Sequence, residues 1–150
     1  MHNSITYNIY QGKIDPQILR GILTLYHKIF GIEKTEKVVQ YCETMPTLLT
    51  IVAQNEDDII GFKIGYAIDE NIFYSWLGGV DEGYRGQNIA GTLMTMQHDW
   101  CRVNVYKIIR TKTLNRWRNM LILNIKQGFE IKETYTDERG ILKIVLEKKL

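Results

Sequence analysis

The stretch VDEGYRGQNIAG, Val80 to Gly91, places three glycines, an arginine and an asparagine between two apolar runs. Upstream, NIFYSWLGGV has the aromatic and branched residues of a strand. Downstream, Ile89, Leu93, Met96, Trp100 and Val103 step by three and four, the pattern of a helix with one buried stripe. The stretch is therefore a strand-to-helix turn. The first turn of a helix leaves four N–H groups without internal partners, and the helix dipole adds partial positive charge there. Such an end is a seat for phosphate. Gly83 and Gly86 are expected at positive φ, Asn88 tolerates the same region, and Ala90 and Gly91 keep bulk away. Arg85 adds a fork of donors. No G-K-[ST] follows and no G-x-G-x-x-G is present, which excludes the two common nucleotide motifs. Taken alone, the stretch reads as readily as a plain connecting loop.

Outward from the turn, the elements fall in a definite order. SITYNIY reads as a first strand. DPQILRGILTLYHKIFG reads as a helix with Asp15 as N-cap, Pro16 at its first position and Gly31 at its end. Its stripe is Ile18, Ile22, Leu25, Tyr26 and Ile29. EKTEKVVQYCETM gives a second helix, stopped by Pro46. TLLTIVAQ, IIGFKIGYAI and NIFYSWLGGV form a meander of strands. In the second of these, Ile60, Phe62, Ile64, Tyr66 and Ile68 share one face, while Gly61, Lys63 and Gly65 share the other. After the turn helix come a strand, YKIIRTKT, a short helix, WRNMLILNIKQ, ended by Gly128, and a hairpin, FEIKETYT and ILKIVLEKK, around DERG. The order is β-α-α-β-β-β-α-β-α-β-β, a mixed α/β (α+β) domain. The strands flanking the turn helix should be parallel neighbours.

The totals narrow the function. A chain of 150 residues suits one domain. Nineteen basic against seventeen acidic residues leave +2, too little to argue for nucleic acid or a membrane surface. Arg102, Lys107, Arg110, Lys112, Arg116 and Arg118 lie in a run without an acid. A solvated face is the favoured reading, a rim for a ligand phosphate the second, and a nucleic-acid patch aided by Trp117 the third. Cys42 and Cys101 form no C-x-x-C pair, so a reduced, cytoplasmic setting is expected. The polar N-terminus lacks the apolar core of a signal peptide, and no apolar run is long enough to span a bilayer. His98 and Cys101 stand three apart with no further ligands, so no metal is expected; His98 is read as exposed and His27 as structural.

A strand ending in valine, then YRGQNIAG, then an amphipathic helix resembles the acetyl-CoA-binding segment of the GNAT superfamily of N-acetyltransferases. The family pattern is [Q/R]-x-x-G-x-[G/A]; Arg85, Gly86, Gln87, Asn88, Ile89 and Ala90 take its places, with Asn88 where the family usually has glycine. NMLILNIKQGFE resembles the family's later helix, with Asn119, Gly128 and Phe129 in the characteristic positions. The likeness covers Ile59 to Leu150; the first ~55 residues fit in element order alone.

The resemblance implies one acetyltransferase-like domain over residues 1–150, with a mostly antiparallel sheet of about seven strands and helices on both faces. It implies acetyl-CoA as co-substrate, no metal, and a primary amine as acceptor that attacks directly in a ternary complex. The pyrophosphate would rest on Arg85, Gly86, Gln87, Asn88, Ile89, Ala90 and Gly91. The pantetheine arm would lie along Leu77, Gly78, Gly79 and Val80, whose N–H groups could also serve the oxyanion, and Asn119 would complete the cofactor-binding set. Many members place a tyrosine acid where this chain has Asn124. Tyr74, Tyr84 and Tyr106 are spare candidates for the acid, and Asp69, Glu70, Asp81 and Glu82 for the base. Glu33, Tyr41 and Glu43 lie where the family builds its acceptor pocket. A non-catalytic acyl-CoA-binding or partner-binding module is the alternative. Nucleic acid and membrane are not expected as partners, and a homodimer is left open.

Overall fold

The computed structural model describes residues 4–150. Strand β1 (Ile5–Gln11) leads to helices α1 (Pro16–Phe30) and α2 (Thr35–Thr44), then strands β2 (Leu49–Asn55), β3 (Asp58–Ala67) and β4 (Ile72–Val80). A single 3-10 turn (Glu82–Tyr84) precedes helix α3 (Ile89–Val103). Strand β5 (Ile108–Thr113), helix α4 (Arg118–Lys126) and strands β6 (Glu130–Thr136) and β7 (Leu142–Lys149) complete the chain. The strands hydrogen-bond in the order β1-β2-β3-β4-β5-β7-β6. The β1/β2, β2/β3, β5/β7 and β6/β7 pairs are antiparallel, and β4/β5 is parallel, as the intervening helix requires.

The described residues form two compact units, one of residues 4–66 with Leu77–Gln97 and one of Ala67–Trp76 with His98–Leu150. The boundaries fall before the last residue of β3 and inside β4 and α3.

In the first unit, local chemistry sets α1. Asp15 Oδ1 accepts the Gln17 N–H at 2.7 Å, and Pro16 opens the helix, where its missing N–H costs nothing. Gly31, at φ 82°, ends it and donates its N–H to the His27 carbonyl. Ile51, Val52, Phe62 and Ile64 are completely buried between two helices. A Cβ on Gly79 would stand 2.6 Å from Ile29 Cδ1 and 3.5 Å from Phe62, so α1 covers that face. A Cβ on Gly61 would stand 3.1 Å from Ile89 and 3.3 Å from Leu93, so α3 covers the other. Both faces of β3 are consequently buried, Lys63 included.

The second unit gathers around Phe73, Ile109 and Leu146. The Tyr106 and Trp100 rings flank Phe73 at 5.3 and 5.7 Å, which gives Tyr106 a packing role. In the closing hairpin, Asp137 Oδ1 accepts the N–H groups of Arg139 and Ile141, and Gly140 turns the chain at φ 81°. Strand β6 ends the sheet order, and all seven of its residues are exposed.

Helix α3 departs from the expected stripe. Its buried row is Ile89, Leu93, Gln97 and Cys101, flanked by Met94 and His98, whereas Val103 is 81 % exposed. Gln97 in the row and His98 beside it hid it, because an apolar count passes over glutamine and histidine. His98 is buried rather than exposed: its Nδ1 accepts from Lys148 Nζ at 3.1 Å, and its ring meets Phe129 at 5.5 Å. Burial also pushes the Cys101 thiol up to about 12 and the Cys42 thiol to about 11, so neither is a reactive thiolate.

Candidate functional site

The turn after β4 is anchored before it opens. Asp81 donates its N–H to the Ile60 carbonyl at 2.8 Å, while its carboxylate accepts from Gly83 N–H at 2.9 Å and from Lys28 Nζ at 2.8 Å. The Lys28 hydrogen bond, followed by the Gly83 bond, holds the Asp81 carboxyl below its usual range. Tyr84 accepts from Asn55 Nδ2 at 2.7 Å through its hydroxyl. These contacts assign Asp81 and Tyr84 to shaping the turn. Gly86 (φ 83°) and Asn88 (φ 58°) take the left-handed conformation expected of them. Gly83 does not: it lies in the 3-10 turn, where the Asp81 side chain caps it in place of a left-handed bend.

Beyond this anchor the backbone is bare. Arg85, Gly86, Gln87 and Asn88 are all exposed. The N–H groups of Gly86, Gln87, Asn88, Ile89, Ala90 and Gly91 find no hydrogen-bond acceptor among the described residues. The Asn88 side chain lies where a Cβ on Gly91 would stand, which admits glycine there. The Asn88 carbonyl accepts from both the N–H and the hydroxyl of Thr92, fixing the helix start. Six successive donors without acceptors, at the positive end of a fifteen-residue helix, form a ledge suited to a polyanion.

Leading into the ledge, β4 carries Leu77, Gly78, Gly79 and Val80. Its parallel ladder with β5 runs from Ile72↔Ile108 to Ser75↔Thr111 and stops there, so these four residues have no β5 partner. Lys63 reaches across from β3: its Nζ lies 3.6 Å from the position a Gly78 Cβ would occupy. Lys63 is only 9 % exposed, and its amine makes no hydrogen bond or ion pair among the described residues. Burial alone moves that amine down from 10.5 to about 8. Sequence reasoning gave Lys63 no role. The available signal was its place between Gly61 and Gly65 on a strand face with no other side chain of size.

In the second unit, Asn119 is exposed in the first turn of α4. Asn124 is 4 % exposed, and its carbonyl accepts the Phe129 N–H at 3.0 Å as Gly128, at φ 98°, ends the helix. The Tyr74 ring lies 6.0 Å from Lys112 Nζ. Asp69 accepts the N–H groups of Asn71 and Ile72, a turn-forming role. The basic run is partly neutralised from outside itself, since Arg110 pairs with Glu147 at 2.7 Å. Two concavities avoid the expected cofactor residues: one lined by Ile108, Gly128 and Glu147 among others, and one along α2 that includes Glu36, Val39 and Glu43. Tyr41 packs its ring against Tyr66 at 5.6 Å. Among the described residues no three His, Cys, Asp or Glu side chains are placed to hold a metal, and no helix is long and apolar enough to cross a membrane.

No protein-family model matches the chain, and no curated protein matches it by sequence. Solved structures do match by shape. A GNAT family acetyltransferase from Elizabethkingia anophelis, solved with acetyl-CoA bound, superposes with a TM-score of 0.75 at 23 % identity over 99 % of this chain and 100 % of its own. NAA60 of Arabidopsis thaliana in complex with a bisubstrate analogue gives 0.79 at 14 % identity, over 98 % and 99 % of the two chains. The ribosomal-protein-S18-alanine N-acetyltransferase of Escherichia coli gives 0.79 at 12 % identity, over 96 % and 94 %. The chain has the fold of the GNAT acetyltransferases.

Proposed function

We propose that the protein is an acyl-CoA-dependent N-acetyltransferase that passes an acetyl group from acetyl-CoA to a primary amine by direct attack in a ternary complex. One observation carries the reading: six consecutive N–H groups, Gly86 to Gly91, without protein acceptors at the entrance of α3. Those amides, with Arg85, would hold the diphosphate. Leu77, Gly78, Gly79 and Val80 lack a β5 partner and would offer backbone hydrogen bonds to an extended ligand, in the manner of an added strand. Asn119 would add a polar contact at the start of α4. Acetyl-CoA supplies an activated thioester; the chain binds it, orients it and presents donors to the charge that develops on the carbonyl oxygen. One such donor is worth about 3–4 kcal/mol. Glu36 and Glu43, lining one groove on α2, would draw a cationic amine toward the protein.

The test is a melting curve with acetyl-CoA. A ligand at 100 times its Kd stabilises by about 2.7 kcal/mol, or roughly 5–10 °C for a chain of this size. Ala90→Trp should abolish the shift while leaving the unliganded melting temperature close to that of the parent. No shift at saturating acetyl-CoA refutes the reading. A second reading, a module that binds acyl-CoA without turnover, is favoured by Asn124, whose amide has no proton to give a leaving thiolate. Thiol release over a panel of amines separates the two, since binding without release selects the module.

A further inference from the structure

We infer that Lys63 is itself an acetyl acceptor, a self-modification site built into the acyl-donor strand. The inference rests on the acetyl-CoA reading above. Its own support is geometric. Lys63 is more than nine-tenths buried as a residue, its amine finds no acceptor among the described residues, and its side chain lies across Gly78, with both Nζ and Cγ near the position of a Gly78 Cβ. Gly78 belongs to the β4 segment left without a β5 partner. Having no side chain, it lets the backbone of β4 approach the lysine closely: a Cβ there would already be in contact with the Phe62 carbonyl oxygen at 3.4 Å, with Nζ at 3.6 Å and with Lys63 Cγ at 3.7 Å. An acyl chain laid along Leu77 to Gly79 therefore runs past a desolvated amine.

The chemistry balances without any further reactant. The neutral Lys63 amine attacks the thioester carbonyl carbon. The C–N bond forms, the C–S bond breaks, and the proton lost from nitrogen goes to the thiolate, which leaves as free CoA. Nothing is oxidised or reduced. The product is a neutral amide, so the charge that burial opposes is gone. The acetyl group then lies beside Gly78, and modification limits further use of the site.

Burial also makes Lys63 a better nucleophile than its exposed counterparts. With its amine near 8, about one molecule in ten is neutral at pH 7, against roughly one in 2,500 for an ordinary lysine near 10.4, a gain of about two hundredfold. The experiment uses the intact wild-type protein, acetyl-CoA and no added amine, with peptide mass spectrometry over time. Lys63 should gain an acetyl group about a hundredfold faster than exposed Lys13 and Lys126, and excess CoA should slow Lys63 alone. If acetyl-CoA raises the melting temperature but Lys63 is modified no faster than Lys13, the inference fails and the acetyltransferase reading stands. If acetyl-CoA gives no thermal shift, both fail.

Discussion

Replacing Lys63 with methionine should make the protein more stable. The substitution keeps an unbranched stem of similar length and removes the amine. Burial lowers that amine from 10.5 to about 8, and burial is the only resolved cause, with no charged neighbour contributing. The unfolded chain therefore binds the proton more tightly than the folded one, and folding pushes against the charge. A displacement of this size corresponds to about 3 kcal/mol at pH 7. The sign follows from linkage. The penalty is complete below the folded value near 8, shrinks as pH rises, and is gone above the unfolded value of about 10.4. Urea denaturation at about pH 7 and about pH 10 measures both limbs. Lys63→Met should gain about 3 kcal/mol over the parent at the lower pH and less than about 1 kcal/mol at the higher. Comparing variant with parent cancels the titration of other lysines and tyrosines. A gain of equal size at both pH values, or a loss at pH 7, would refute the claim that an uncompensated buried charge sits beside Gly78.

Other perturbations probe other parts. Ala90→Pro removes one amide from the ledge where the helix needs no N–H; losing one charge-assisted hydrogen bond of about 1.5–3 kcal/mol should weaken acetyl-CoA binding roughly 10- to 150-fold by calorimetry. Gln97 is fully buried and its amide nitrogen and oxygen have no partner, so Gln97→Met should stabilise by about 1–3 kcal/mol in denaturant melts. Asp81→Asn should remove a stability contribution that is present above the unfolded carboxyl value near 3.9 and lost as pH falls through the lower folded value, so parent and variant melting temperatures should converge in strong acid. A pH-independent difference would assign the effect to packing instead.

What could be read from the chain is what neighbours in sequence decide. Asp15, Pro16 and Gly31 mark the ends of α1 by capping chemistry confined to a few residues, and Gly86, by lacking a Cβ, and Asn88, by its short polar side chain, announce left-handed backbone. The parallel β4/β5 pair follows from the helix between them. Partners distant in sequence, and polar side chains whose part a hydrophobic pattern does not show, decide the rest. His98 is buried because Lys148 and Phe129 return to it from far down the chain. Gly83 keeps an ordinary backbone because Asp81 caps it. The stripe of α3 was misplaced because Gln97 lies in the buried row and His98 beside it. The alternation placed Lys63 on one strand face with Gly61 and Gly65, and only the helix packed over Gly61 reveals that this face is covered.

The terminal strand of the sheet has a bearing on handling the protein in solution. Strand β6 presents Glu130, Lys132 and Glu133 along its length, and its register shifts between Ile131 and Glu133. A second molecule trying to extend the ladder would meet clustered charge and a broken hydrogen-bond spacing. Neutralising those three side chains should invite fibrous association at high concentration, which makes this border a safeguard against polymerisation.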